Sequence, residues 1–276
     1  MPISATASSD LSLWALIPLS LVIGIVLGLV GGMVGLVLGN LRLPFIFFIL
    51  DSASVASGTN IGISGIAAGG GVWRHWRERA IDWRVFWVIA PTSFVGALVG
   101  GFFSERVEPG MLLLLFSAVI LYGGIDALRQ GRALRIEHAA GAVAPRKCGA
   151  LLTRRRIATE AVIGLVIGGL GGLVGLILGS MRLPAMLRIL NMDPRTAVGT
   201  NMAVGLVTGI SGVIGHTLGG GINWTVLGVM GASAALGSYY GARLTGVLSP
   251  QALLTALGMV LLAVSGTMVW RAFSEF

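Results

Sequence analysis

Six long runs of this chain contain no Asp, Glu, Lys or Arg: residues 11–41, 52–73, 85–104, 161–181, 196–242 and 244–270. A helix crossing a bilayer needs about 20 mostly apolar residues. A soluble fold of this size would have to spread charge over its surface. Here charged residues are only 11% and the mean hydropathy is +0.91. The pattern predicts a polytopic helical membrane protein and excludes a soluble domain. The net charge of +8 comes almost wholly from arginines lying between the apolar runs. That is a topology signal and does not point to nucleic acid. The single Cys148 allows no intrachain disulfide and no metal site of its own. The opening MPISATASSD has no basic segment, so no cleaved signal peptide is expected.

Eight spans fit the apolar pattern, near 13–38, 52–73, 83–104, 110–129, 157–179, 196–217, 223–243 and 251–272. The glycines at 219–221 divide the longest run. The chain also repeats itself. GGMVGLVLGNLRLP (31–44) returns as GGLVGLILGSMRLP (171–184), and GTN (58–60) returns at 199–201. His75 matches His216, and the I-D-W of 81–83 matches the I-N-W of 222–224. The division read from this is a four-span repeat over 1–130, a basic linker over 131–156 and a second four-span repeat over 157–276.

Four spans per repeat is an even number. Both halves then enter the membrane from the same side, as parallel repeats about an axis along the membrane normal. On that model thirteen positive residues fall on one side, which the positive-inside rule makes cytoplasmic together with both termini. Trp83 and Trp224 read as interface anchors, and Gly24 to Gly35 as a helix-packing surface.

Each repeated phrase ends in Gly, a lone Arg and Pro. Gly39 with Pro44, and Gly179 with Pro184, should break the helix, yet the residues that follow are apolar. Residues 39–50 and 179–190 are therefore expected to be re-entrant or broken, with non-helical backbone over 39–44 and 179–184. Irregular backbone at membrane depth is tolerated only inside protein or beside a water-filled cavity. Matching breaks in two halves point to a transport site. An arginine there is a functional candidate, and its planar fork suits an oxyanion. Arg42 and Arg182 are thus the leading substrate ligands, with Asn40 and Ser180 beside them. Thr59, Asn60, Thr200 and Asn201, near two helix starts, complete the candidate set. His75 and His216 are candidate gating residues at cytoplasmic span ends. No cofactor, metal site or catalytic grouping is read, so an enzyme is not expected. A small anion and the lipid bilayer are the expected partners, and homo-oligomerisation stays open.

These motifs resemble those of the TauE/SafE family, the sulfite exporter or toluene-sulfonate uptake permeases. The resemblance rests on GGMVGLVLGNLRLP, SGTN and RHWRERAIDW, then on GGLVGLILGSMRLP, AVGTN and GHTLGGGINW, and covers nearly the whole chain. The family has a G-x-GGG run before its proline segment, where this chain has LGNLRLP and LGSMRLP. The resemblance implies transport of sulfite, sulfonates or related organosulfur anions across the inner (plasma) membrane. The residues alone reach "small anion", moved by alternating access. A passive channel and a non-transporting accessory protein remain open readings.

Overall fold

The computed structural model describes residues 7–34, 38–50, 52–140, 154–190, 192–219, 221–243 and 250–274. The described residues form ten α-helices and one 3₁₀ turn. Eight helices are long: α1 (Ala7–Val34), α3 (Ala53–Arg77), α4 (Trp83–Phe103), α5 (Pro109–Ala140), α6 (Arg154–Val174), α8 (Pro194–Gly219), α9 (Trp224–Arg243) and α10 (Pro250–Ser274). Two are short: α2 (Gly39–Leu50) and α7 (Gly179–Arg188). Four stretches are long and apolar enough to cross a membrane: Trp83–Arg106, Pro109–Ala133, Ile157–Val174 and Arg195–Gly219. The protein is an all-helical, multi-pass membrane protein. Helix α3 misses that apolarity because it lies inside the fold. Its buried face carries Thr59, Asn60 and Ser64 among glycines, polar groups costly in lipid that hydrogen-bond within the protein here.

Glycine contacts fix the directions of the helices. Along α3 and α8, Gly58 meets His216, Gly65 meets Gly209, and Gly71 meets Met202. The numbers rise on one helix and fall on the other, so α3 and α8 are antiparallel. Along α3 and α9, Gly62 meets Leu227 and Ile66 meets Gly231, a parallel pairing. Gly24 packs on Ser233, and Gly241 packs on Leu29. Helix α1 is therefore parallel to α9, and so to α3.

Two parallel helices joined in sequence need a return between them. Helix α2 supplies it. Its first residue, Gly39, lies beside Asn60 and Ser64 at mid-height on α3, and its end feeds the start of α3. Twelve residues of helix cover about 18 Å, so α2 is a half-length pass. Helix α7 does the same between α6 and α8, with Gly179 beside Asn201.

Counting α2 and α7, each half has five helices, and five is odd. The expectation of two parallel four-span repeats is corrected: α3 and its counterpart α8 point in opposite directions, and the halves are inverted relative to each other. Halves and packing units also differ. Helix α1 packs on α9 of the second half, and α6 packs on α4 of the first, where Gly164 meets Ile89 and Gly172 meets Ala97. The Gly24 and Gly28 surface is a packing surface as expected, while Gly35 lies outside the described residues. Much of the 131–156 linker, with Cys148, lies outside them too. Its beginning is helical as far as Ala140, and Arg154 to Arg156 open α6.

The expected break is displaced. Residues 39–44 and 179–184 are helical, and Pro44 sits in the second turn of α2. A proline there removes only one ladder hydrogen bond. In the second half the chain breaks earlier, at 175–178. Gly175 has φ +72°, and Leu176 N–H donates back to the Gly171 carbonyl at 2.8 Å. This is a helix C-terminus closed by a left-handed glycine. A Cβ on Gly175 would also collide with Ser57, so both conformation and space require glycine.

Candidate functional site

Every residue of the repeated G-T-N has its own task, and both copies perform it in the same way. A Cβ on Gly58 would stand 2.8 Å from His216 Cβ, and one on Gly199 would strike the Ala80 carbonyl. These glycines let the turn of the opposite half approach. The Thr59 hydroxyl donates to the Val55 carbonyl at 2.7 Å and accepts from Asn223 N–H at 3.1 Å. The Thr200 hydroxyl donates to the Thr196 carbonyl at 2.7 Å and accepts from Asp82 N–H at 2.9 Å. Asp82 and Asn223 in turn cap α4 and α9, accepting from Val85 N–H at 3.2 Å and Val226 N–H at 3.0 Å. The two threonines therefore stitch one half to the other.

The asparagines face the arginines. Arg42 Nε donates to Asn60 Oδ1 at 3.0 Å, and Arg182 Nε donates to Asn201 Oδ1 at 2.8 Å. Asn60 Nδ2 donates to the Gly39 carbonyl at 3.2 Å, and also to the Gly175 carbonyl at 2.9 Å. Asn201 Nδ2 donates to the Gly179 carbonyl at 3.4 Å. Each asparagine thus ties an arginine to the start of its own half-helix, and Asn60 also reaches the break of the other half. Gly39 and Gly179 have no room for a side chain. A Cβ would stand 2.7 Å from Ser64 Oγ in one case and 2.8 Å from Asn201 Nδ2 in the other.

Both guanidinium groups are sealed off, with Arg42 2% and Arg182 0% exposed. Among the described residues neither has an Asp or Glu within ion-pair distance, whereas Glu78 pairs with Arg74 and Arg195 at 2.9 Å each. A buried cation without a counter-ion is costly. Two half-helix N-termini, whose dipoles favour negative charge, begin beside the two arginines. The arrangement suits a small anion.

The other candidates lie as follows. Asn40 is buried against Gly123, and Ser180 is half-buried next to the start of α7. Pro184 lies within α7. His216 is fully buried, with Nε2 2.8 Å from the Gly172 carbonyl. His75 lies at the far end of α3. Since α3 and α8 are antiparallel, the two histidines stand at opposite ends of the bundle, which corrects their expected place on one face. A cavity of about 340 Å³ near Ser52, Ser104 and Glu105 includes neither arginine. Among the described residues no group of three His, Cys, Asp or Glu could hold a metal ion.

Sequence reasoning missed Ser64, whose hydroxyl lies 2.6 Å from Arg42 Nη2, and the bridge from Glu78 to Arg195. Ser64 stands four residues after Asn60, one helical turn on, and that spacing was the available signal.

Residues 20–268 match the protein family described as Sulfite exporter TauE/SafE. The chain is 21% identical over 199 residues to a Bacillus subtilis protein named "Probable membrane transporter protein YunE", covering 71% of this chain and 73% of that one. It is 24% identical over 247 residues to a Xylella fastidiosa "Probable membrane transporter protein", covering 85% and 88%. No solved structure matches it.

Proposed function

The chain belongs to the TauE/SafE family of membrane transporters, and from that premise we propose that it carries a small organosulfur oxyanion, such as sulfite or a sulfonate, by alternating access. The observation that carries this reading is the pair of buried arginines without carboxylate partners, each held at the start of a half-helix. An oxyanion supplies the missing charge and accepts from the guanidinium fork. The oxyanion chemistry comes from the site, and the organosulfur class from the family.

The inverted halves support alternating access. On α3, Asn60 lies toward the helix start, while Asn201 lies toward the start of the antiparallel α8. One arginine thus approaches the crossing from each face of the membrane. The glycine contact between α3 and α8 is the pivot. Thr59 and Thr200 hold the surrounding turns in register.

The same arrangement supports an assignment of the faces. Arg74, Arg77, Arg79 and Arg84 lie around the turn from α3 to α4, and Arg129, Arg132 and Arg135 lie toward the end of α5. Arg154 to Arg156 open α6, Arg188 ends α7, Arg195 starts α8 and Arg243 ends α9. All of these fall on one face, while Arg106 and Arg271 fall on the other. By the positive-inside rule the first face is cytoplasmic. Both termini then lie outside, in place of the cytoplasmic termini of the eight-span reading.

The test is flux into liposomes containing the purified protein, with sulfite, sulfate, thiosulfate, sulfoacetate and small carboxylates as substrates. Saturable uptake with counter-transport of an organosulfur anion is expected. Non-saturating flux would indicate a passive pore, and no flux of any anion would indicate an accessory protein.

A further inference from the structure

The two arginine sites share the Arg–Asn bond and differ one helical turn beyond each asparagine. Ser64 on α3 lies 2.6 Å from Arg42 Nη2. The repeat offset of 141 that aligns Asn60 with Asn201 places Gly205 at the equivalent point of α8. Arg182 therefore has no hydroxyl to hold its fork. Its Nη2 makes only a long 3.4 Å contact with the Asn201 carbonyl, and its Nη1 is buried with no partner among the described residues. Resting on the anion reading above, we propose that Arg182 is the principal anion ligand in this conformation, and that the Ser64/Gly205 difference selects it over Arg42.

Buried donors are nearly always paired, and an unpaired guanidinium N–H in a sealed interior is a strong demand for an acceptor. At Arg42 the demand is met by Asn60 and Ser64. At Arg182 it is open, and no side chain from position 205 covers the fork. A Cβ at position 205 would stand 3.8 Å from Arg182 Nη2, 3.9 Å from Ala68 Cβ and 3.0 Å from Ile177 Cγ2. A serine therefore fits once the Ile177 side chain gives by a few tenths of an ångström, and its hydroxyl is placed to bond Arg182 as Ser64 bonds Arg42. The free fork takes two oxygens of one small oxyanion side by side, the geometry for which a guanidinium is suited and an ammonium is not.

Position 205 thus offers a test that leaves both arginines in place. Sulfite, with methanesulfonate as a second probe, is titrated into the full-length purified protein and the heat of binding measured, each variant first shown to melt cooperatively. Gly205→Ser should weaken binding about tenfold, the equivalent of losing one charge-assisted hydrogen bond. Arg182→Gln should cost about tenfold more affinity than Arg42→Gln. In the Ser64→Gly/Gly205→Ser double variant the order should reverse, with Arg42→Gln the costlier change. Wild-type affinity in Gly205→Ser, or equal losses for the two Gln variants, would overturn the assignment to Arg182 while leaving a two-arginine site standing. Failure of the wild type to bind either probe would instead overturn the anion reading itself.

Discussion

Gly65 and Gly209 meet backbone to backbone where α3 crosses α8. A Cβ on Gly209 would stand 2.5 Å from Gly65 Cα, whereas one on Gly65 would stand 3.1 Å from Gly209 Cα. Close approach of this kind is how helices associate in lipid, and here it brings the two arginine sites to one crossing. Gly209→Ala should therefore destabilise the protein by about 1–3 kcal/mol, as overpacking does. Gly65→Ala should cost clearly less. Thermal unfolding of the two variants in one detergent checks the order.

The threonine stitches predict a split between stability and binding. Thr59→Val and Thr200→Val keep shape but leave the N–H of Asn223 or Asp82 without its acceptor. Each should lose about 1–3 kcal/mol of stability while retaining wild-type affinity for the anion. An affinity loss in a fully folded Thr59→Val protein would return that hydroxyl to the list of ligands.

The Glu78 bridge predicts a pH dependence. Hydrogen bonds from Arg74 and then Arg195 hold the Glu78 carboxyl below its ordinary value. A carboxylate with a lowered folded pKa stabilises the fold above its unfolded pKa, and that contribution is lost as pH falls through the folded one. The partners are partly exposed, so the effect is at most about 1 kcal/mol. The melting difference between wild type and Glu78→Gln should be present at neutral pH and disappear in acid. A difference that persists or grows in acid would contradict the bridge.

Inverted halves predict where reagents reach. Tags on the two termini should be accessible from outside intact cells, and the native Cys148 should react only after permeabilisation. Labelling of Cys148 by an impermeant reagent, with protected termini, would reverse the assigned faces.

Much of this architecture is legible in the sequence. The charge-free runs mark seven of the eight long helices, all but α5, because unpaired charge is costly in lipid. The repeat marks Arg42 with Arg182, and Asn60 with Asn201, as equivalent, and each Arg–Asn pair meets in space. The orientation of the halves was not legible. It depends on whether 39–50 counts as a pass, and a proline-containing segment of twelve residues gives no sign that it returns the chain. One uncounted half-helix per repeat turns an odd number into an even one and inverts the conclusion. The threonines are ambiguous in the sequence for another reason. Polar side chains near a helix start suit either a ligand or a backbone partner, and only the packing of α9 and α4 against them decides. For the break itself the sequence points to Pro44 and Pro184, because proline is the more visible signal. In the second half the left-handed glycine at 175 makes it.

The central claim is that Arg42 and Arg182 form the anion site, and transport per inserted molecule tests it most directly. Uptake of sulfite into liposomes at a concentration well below saturation is compared for wild type, the two single Gln variants, the double Gln variant and the matching Lys variants. Losing one charge-assisted hydrogen bond costs about 1.5–3 kcal/mol, or roughly tenfold to a hundredfold in affinity. Single Gln variants should insert normally and transport poorly, Lys variants should be partial because the charge remains without the fork, and the double Gln variant should be inactive. Wild-type flux in the double Gln variant would contradict the account.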